Sequence, residues 1–309
     1  MVPEVLEALQ PRSGGRYVDG TIGGGGHAQA ILSASSPNGF LFGCDRDGEA
    51  VAAARRRLAP YGQRVEVRQG NFSELADWIE TGSCDGVLLD LGVSSPQLDQ
   101  PERGFSFQQE GPLDMRMDSR QAITAADLVS GLSEEELAGI FWELGEEPQA
   151  RRFARAIVKE RRGRRFETTG QLARLIERLA PRSGKRRHPA TRVFQALRMA
   201  VNDEASSLRS GLAAACTILK PGGRLAVITF HSLEDRIVKI FGRERSRGYV
   251  VEGEVDLPEF RKPQPPQIKW LSRKAIQPRA EEVADNLRAR SAHLRVMEKL
   301  EDWSGGAME

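Results

Sequence analysis

Cysteine is scarce: only Cys44, Cys84 and Cys216 occur in 309 residues. The number is odd, the positions are scattered, and none is paired at metal-ligand spacing. A disulfide framework and a zinc site are both excluded on that ground, and reduced, mostly buried thiols are expected. Long apolar runs are also missing, since none approaches the ~20 residues that a bilayer crossing needs. The first twelve residues carry Glu4 and Glu7 and lack both a basic start and a continuous apolar core. No secretory signal is read there, and a cytoplasmic protein is expected. Nor does one charge dominate, because 45 Lys and Arg offset 43 Asp and Glu to leave +2. With 39% hydrophobic and 28% charged residues and a mean hydropathy of −0.44, collagen-like, fully disordered and multi-span membrane chains are excluded. The length allows one main domain with an appendage, at the usual ~100 to 200 residues each.

The near-balanced charge hides an asymmetry. Between Arg151 and Arg192 fifteen Lys and Arg residues face three acids, Glu160, Glu167 and Glu177. That stretch is a candidate for contact with a polyanion; the alternative is a helical surface whose basic side chains are merely solvated.

Short apolar runs bounded by turn signals recur through the first third, at Tyr17–Asp19, Phe40–Cys44, Val65–Arg68 and Gly86–Leu91. Between them lie stretches of helical character, such as Glu49–Leu58 after Asp47 as N-cap. Strands alternating with helices predict an α/β fold with a parallel, doubly wound sheet. The pattern then stops. Ser133 and Glu136 make a capping box ahead of Leu137, Ile140, Phe141 and Leu144, and Leu172, Leu175, Ile176 and Leu179 form a second helical set ended by Pro181. Strand character returns only after a helix marked by Leu208, Leu212, Ala215 and Leu219, with the turn Lys220-Pro221-Gly222-Gly223 and the run Leu225–Phe230. Past a Pro-rich loop, strand candidates Ile268–Ile276 and Ala292–Met297 close the sheet. The expectation is a discontinuous α/β domain of residues 1–110 and 200–309, interrupted by an all-helical insert of residues 111–199.

Val18 to Ala28 reads VDGTIGGGGHA, a strand that breaks into four glycines before a helix. Glycine suits a sharp turn that must let a ligand approach the backbone. Gly23, Gly25 and Ala28 also parse as G-x-G-x-x-A, the pattern of a nicotinamide dinucleotide site, and a plain surface loop is the bland alternative. Three features favour S-adenosylmethionine. Asp19 ends the first strand, where a carboxylate can hold the ligand's amino group but would repel a pyrophosphate. Two further strand ends carry polar groups, Gly70-Asn71-Phe72 and Asp90, at the edge where such sheets bind ligands. The helix, Pro-Gly-Gly turn and strand near Leu225 resemble the late segment of class I methyltransferases. Asp45, about twenty residues beyond the turn, is placed to accept ribose hydroxyls in either cofactor class.

More specific blocks follow: DGVLLDLGVSSPQLDQPERGFSF from Asp85 to Phe107, GPLDMRMD from Gly111 to Asp118, HPATRVFQALRMAVNDE from His188 to Glu204, FHSLEDRIVK from Phe230 to Lys239 and RARSAHLRVME from Arg288 to Glu298. In this order they resemble the RsmH (MraW) family of small-subunit ribosomal RNA cytosine-N4 methyltransferases, over nearly the whole chain. The resemblance implies a class I S-adenosylmethionine-dependent methyltransferase fold, Rossmann-like, with a helical insert that recognises substrate. It implies methyl transfer to the exocyclic N4 of one cytidine in 16S ribosomal RNA near the decoding centre, within an assembled small subunit. Gly25, Gly26, His27, Asp45, Phe72, Asp90 and Gln97 would line the cofactor site, with Asp19 and Gly24 beside them. The chain departs from the family pattern in two places. The usual His-x-Pro-Val opening is absent before Met1, as in a trimmed start, and Asn286-Leu287-Arg288 stands where Asn-Pro-Arg is usual.

A cytosine amine is a poor nucleophile, so alignment and an oxygen acceptor for its hydrogens are what such a site must supply. The acidic or polar residue followed by Pro-Pro-aromatic that many amino-methyltransferases use is missing; Asp90-Leu91-Gly92-Val93-Ser94-Ser95-Pro96 stands at that strand end. Asp90 and the loop through Ser94 are the candidate replacement, although Asp90 has a cofactor role open to it as well. His231 follows the fifth strand beside Ser232 and Arg236 and is a candidate for base contact or proton acceptance, a structural role being the alternative. Phe105 and Phe107 would stack the target base or pack under their loop. His188 and Arg192, with Arg116 and the basic residues from Arg182 onward, would grip phosphates; Arg192 has bracing of the insert as its alternative. A cytosine amine is reached only when the base leaves its stack, which suits a crevice roofed by the insert. No metal cluster is visible and none is assigned.

Overall fold

The computed structural model describes residues 1–180, 188–252, 255–272 and 274–301. The chain forms two compact units, Met1–Gly92 with Ala205–Glu309, and Val93–Glu204.

The first unit is built on β1 (Arg16–Asp19), β2 (Phe40–Asp45), β3 (Val65–Gln69), β4 (Cys84–Asp90), β5 (Leu219–Thr229), β6 (Tyr249–Val251), β7 (Arg261–Pro263), β8 (Ile268–Trp270) and β9 (His293–Lys299). Seven of these make one sheet in the order β3-β2-β1-β4-β5-β9-β8. The pairs from β3 through β5 are parallel, and β9 runs antiparallel to both β5 and β8. This is the mostly parallel, doubly wound sheet of class I methyltransferases, as expected. Its central strands are near-continuous apolar runs because both faces are covered: Tyr17, Val18, Leu41, Val87, Leu88, Leu89, Ala226 and Val227 are all buried. Strand order reverses between β1 and β4, which opens a crevice at their carboxyl ends.

Several elements depart from expectation. The Lys220–Gly223 turn lies inside β5 as a bulge, where the β4–β5 register jumps from Cys84↔Leu219 to Gly86↔Arg224 and Gly222 takes φ +77°. The expected strand Ile268–Ile276 stops at Trp270, and Ile276 rejoins the sheet only as an isolated bridge to Leu294. Between them Ser272 donates its hydroxyl to the Lys274 carbonyl at 2.8 Å, which turns the backbone out of the ladder. In the Pro-rich stretch β6 and β7 pair as a separate ribbon. Pro263 masked it, yet a proline is tolerated at a strand end that needs no donor.

In the second unit helices span Ser95–Asp99, Ala125–Gly131, Glu134–Glu143, Ala150–Glu160, Thr169–Leu179 and Thr191–Val201. Ser133 and Thr168 close capping boxes with Glu136 and Gln171 at the starts of two of them. Phe141, Phe153, Ile157, Leu172, Ile176 and Val193 fill a core of their own, each contributing about 1.5 to 3 kcal/mol by leaving water. Among the described residues this unit has no strand, only the bridge Pro112–Thr168. The expected insert, 111–199, lies inside it. Residues 93–110 belong with the helices because Val93, Leu98, Phe105 and Phe107 pack into the same core. At the other end Asn202 donates to the Met115 and Arg198 carbonyls and accepts from Met117 N–H, each at 2.8 Å.

Candidate active site

The glycine turn grows directly out of β1. Gly20 N–H donates to the Leu88 carbonyl and Ile22 N–H to the Cys44 carbonyl, so the turn is stitched to β4 and β2 on either side. Gly23 and Gly25 adopt φ +50° and +81°, a region in which side-chain-bearing residues are strained. Gly25 also caps helix Gly26–Ala34 with no side-chain partner, which leaves first-turn N–H groups for a ligand. A Cβ at Gly25 would lie 3.4 Å from Ala54 Cα, whereas one at Gly24 would meet nothing within 4 Å among the described residues. The turn is thus packed on one side and open on the other.

Three carboxylates converge beside it from the ends of β1, β2 and β4. Asp19 is only 1% exposed; burial pushes its carboxyl up to about 7, with Asp90 and Asp45 pushing the same way against the pull of His27. Asp45 accepts Gly23 N–H and Asp47 N–H on its two oxygens, each at 2.9 Å, and burial raises it too. Asp90 donates its backbone N–H to Thr21 Oγ1 at 2.6 Å, and its Oδ2 lies 3.5 Å from His27 Nε2. Burial draws the His27 imidazole down, but the hydrogen bond and charge of Asp90 outweigh it and leave the ring above its ordinary value. His27 Nδ1 and Asp90 Oδ1 are buried with no hydrogen-bond partner among the described residues, and such groups cost about 1 to 3 kcal/mol each unless something satisfies them.

This arrangement fits S-adenosylmethionine and suits a dinucleotide poorly. Clustered carboxylates repel a pyrophosphate and attract a sulfonium and an ammonium. With backbone N–H groups of Gly23, Asp47 and Arg46 on it, the Asp45 carboxylate keeps acceptor capacity for a ribose hydroxyl. Phe72 stands at the end of β3, its turn capped by Asn71 Oδ1 on Ser73 N–H. Its ring is wedged over Gly211, where a Cβ would come within 2.2 Å of Cδ2.

His231 sits just past β5, the strand next to β4. It is the N-cap of helix Ser232–Arg245, its Nδ1 accepting Glu234 N–H at 3.4 Å. Glu234 is buried, accepts N–H bonds from Phe230 and His231 at 2.8 and 3.3 Å, and brings Oε1 to 3.1 Å from His231 Nε2 without a hydrogen bond between them. Ser232 and Arg236 lie on the exposed side of the same helix.

The remaining candidates belong to the helical unit. Ser94 and Gln97 satisfy each other in a capping box, Ser94 N–H donating to Gln97 Oε1 at 3.0 Å. Phe105 is 7% exposed and part of the helical core. Phe107 lies partly buried against His188 and Phe194, with ring centroids 4.6 and 4.8 Å away. Arg116 grips Asp114 with Nε and Nη2 at 2.8 and 2.7 Å and turns Nη1 to the Ser119 carbonyl. His188 Nδ1 accepts Ala190 N–H at 3.1 Å, and Nε2 lies 3.7 Å from Glu177. Arg192 has no ion pair among the described residues. Arg182, Lys185, Arg186 and Arg187 of the basic stretch lie outside the described residues.

Sequence reasoning missed Thr21, whose hydroxyl ties the glycine turn to β4, and Glu234, which completes the His231 cap. The second had a signal: His231 and Glu234 stand at capping-box spacing ahead of an amphipathic helix, with His in place of Ser or Thr. Among the described residues no group of three or more His, Cys, Asp or Glu is arranged to hold a metal, and no helix is long and apolar enough to cross a membrane.

The chain matches the model of the MraW methylase family over residues 1–300. Ribosomal RNA small subunit methyltransferase H of Syntrophotalea carbinolica is 52% identical to it over 306 residues, covering 97% of this chain and 96% of that protein. The protein of the same description from Geotalea uraniireducens is 51% identical over 305 residues, 97% of each, and that from Symbiobacterium thermophilum 49% identical over 306 residues, 97% of this chain and 96% of the other. Among solved structures, an rRNA methylase from Streptococcus thermophilus aligns with a TM-score of 0.43 at 11% identity over 97% of this chain and 94% of that one. A family match running from the first residue to residue 300, together with relatives about half identical across their whole length, makes this chain a member of the MraW methylase family, with S-adenosylmethionine as its methyl donor.

Proposed function

We propose that this protein methylates the exocyclic N4 amine of a specific cytidine in 16S ribosomal RNA near the decoding centre, acting on the assembled small subunit in the cytoplasm. The observation that carries the reading is the near-half identity, over the whole chain, to relatives described as ribosomal RNA small subunit methyltransferase H. Bound S-adenosylmethionine supplies an electrophilic methyl on a sulfonium. Asp19 holds the donor's amino group, Asp45 its ribose hydroxyls, and the open side of Gly24–Gly26 lets it approach the backbone; Phe72 completes the lining.

Asp90 then does the work at the amine. His27 engages Oδ2, which leaves the buried and unclaimed Oδ1 as acceptor for an amine hydrogen while the nitrogen turns tetrahedral. Ser94 acts by capping the helix that follows the loop. His231, anchored by Glu234, lines the neighbouring strand end with Ser232 and Arg236 and contacts the base. The helical unit recognises substrate, with Phe107 and His188 as an adjoining, mutually tilted aromatic pair, Arg192 as a phosphate contact, and Phe105 and Arg116 bracing their loops.

The test is to incubate the protein and labelled S-adenosylmethionine with small subunits lacking the modification, digest the RNA and identify the labelled nucleoside by mass spectrometry. N4-methylcytidine at a single site is expected. Intact cofactor binding with no label in the RNA would refute the substrate and leave a different acceptor, or a non-catalytic assembly factor, to be sought.

A further inference from the structure

The helical unit carries an open groove of about 870 Å³ that none of the proposed roles uses. It lies between helix Glu134–Glu143 and helix Ala150–Glu160, with Trp142, Glu134 and Glu135 on one side and Arg151, Arg152 and Arg155 on the other, so three cations face two acids, one of which is already paired with Arg155. The sequence dictates that arrangement. Phe153, Ala154 and Ile157 take the core face of the second helix, so Arg151, Arg152, Arg155 and Lys159 are left on its exposed face.

Arg155 Nε is held by Glu134 at 3.1 Å and Arg152 Nη1 by Gln149 at 2.8 Å. Arg151 and Lys159 have no ion-pair partner among the described residues. Glu160, the acid that ends the row, is taken by Arg178 at 3.0 Å. Trp142 is 63% exposed and makes no ring contact among the described residues. One exposed apolar side chain is ordinary. A broad aromatic face beside a cationic row on two packed helices is the combination that takes an unpaired base and its flanking phosphates together.

We propose that this groove binds a single-stranded segment of the ribosomal RNA substrate, with an unpaired base stacked on Trp142 and the adjoining phosphates held by Arg151 and Arg152. The inference rests on the RNA-substrate reading above. RNA is favoured over a protein partner because Arg151, Arg155 and Lys159 recur at i, i+4 and i+8 on one exposed helix face with Arg152 beside them, a run of like charge that suits a polyanion.

Binding of a labelled, unstructured oligoribonucleotide of about ten nucleotides, a length within the span such surfaces cover, is measured by fluorescence anisotropy against the full-length protein. Trp142→Ala should weaken it about tenfold or more, and Trp142→Phe should recover most of the loss. Arg151→Ala with Arg152→Ala should flatten the slope of log affinity against log salt by about 1.4, at roughly 0.7 per lost phosphate contact on a single strand. An unchanged helical circular-dichroism signal and an unchanged unfolding transition show that each variant is folded. Folded variants with wild-type affinity and salt slope would overturn the proposal. So would variants that bind naked RNA normally but assembled subunits weakly, which would assign the groove to a ribosomal protein. Methyl transfer by the wild type, run in parallel, reads the functional assignment separately: transfer with unaffected groove variants sinks the groove alone, and RNA binding through Trp142 without transfer sinks the assigned reaction alone.

Discussion

Asp19 carries a testable titration. An unfolded aspartate titrates near 3.8 and the buried one at about 7, so between those values the folded, ligand-free protein holds a proton that the unfolded chain has lost. The stabilising contribution of this group is therefore full below pH ~4 and is lost as pH rises towards about 7. A ligand ammonium reverses the preference, because it favours the carboxylate and expels the proton. Affinity for S-adenosylhomocysteine should rise by up to about tenfold per pH unit from pH 5 to 7 and level off above, with proton release visible by calorimetry in buffers of different ionisation enthalpy. Asp19→Asn should bind weakly at every pH and lose the slope; a retained slope would assign the proton to another group. At Asp90 the expectation is kinetic. Asp90→Asn keeps an acceptor oxygen but loses the charge, so kcat should fall by about a hundredfold or more with a much smaller change in cofactor affinity, measured by single-turnover methyl transfer.

At the scale of elements, the site depends on how helices and turns fit one another. Helix Glu204–Ile218 carries Gly211 where the Phe72 ring is seated, and Asn71 Nδ2 donates to Ser207 Oγ on the same helix at 3.0 Å. Gly211→Ala would place a methyl 2.2 Å from Phe72 Cδ2. The ring must move, at about 1 to 3 kcal/mol for overpacking, and affinity for S-adenosylhomocysteine should drop with it; chemical denaturation and a binding isotherm check the two effects. Most elements were legible in the sequence because their apolar residues keep one period for a full length, such as Leu172, Leu175, Ile176 and Leu179 behind the Thr168 cap. Those that were not legible break the rule locally. The run Ile268–Ile276 reads as one strand but turns away after Trp270, and the β6–β7 ribbon sits in a stretch whose prolines signal loop.

For the molecule as a whole, each unit holds a core of its own, so the two can be perturbed separately. Phe153→Ala removes a fully buried ring from the helical core and should cost about 3 to 5 kcal/mol of that unit's stability. Binding of S-adenosylhomocysteine, whose proposed residues lie mostly in the α/β unit, should survive below the unfolding temperature; equilibrium unfolding followed by circular dichroism alongside calorimetric binding checks both. The sequence by itself determined the alternation of strands and helices, the helical interruption, the glycine turn and the family, because periodicity, capping and motif order are local properties of the chain. Only the tertiary structure decided that residues 93–110 join the helices, that Phe105 is buried, and that Arg116 is spent on Asp114. It alone brought His27 and the carboxylates of Asp19, Asp45 and Asp90 together, because crossover connections set strands distant in sequence side by side, and burial and charge act across that distance, which no local pattern records.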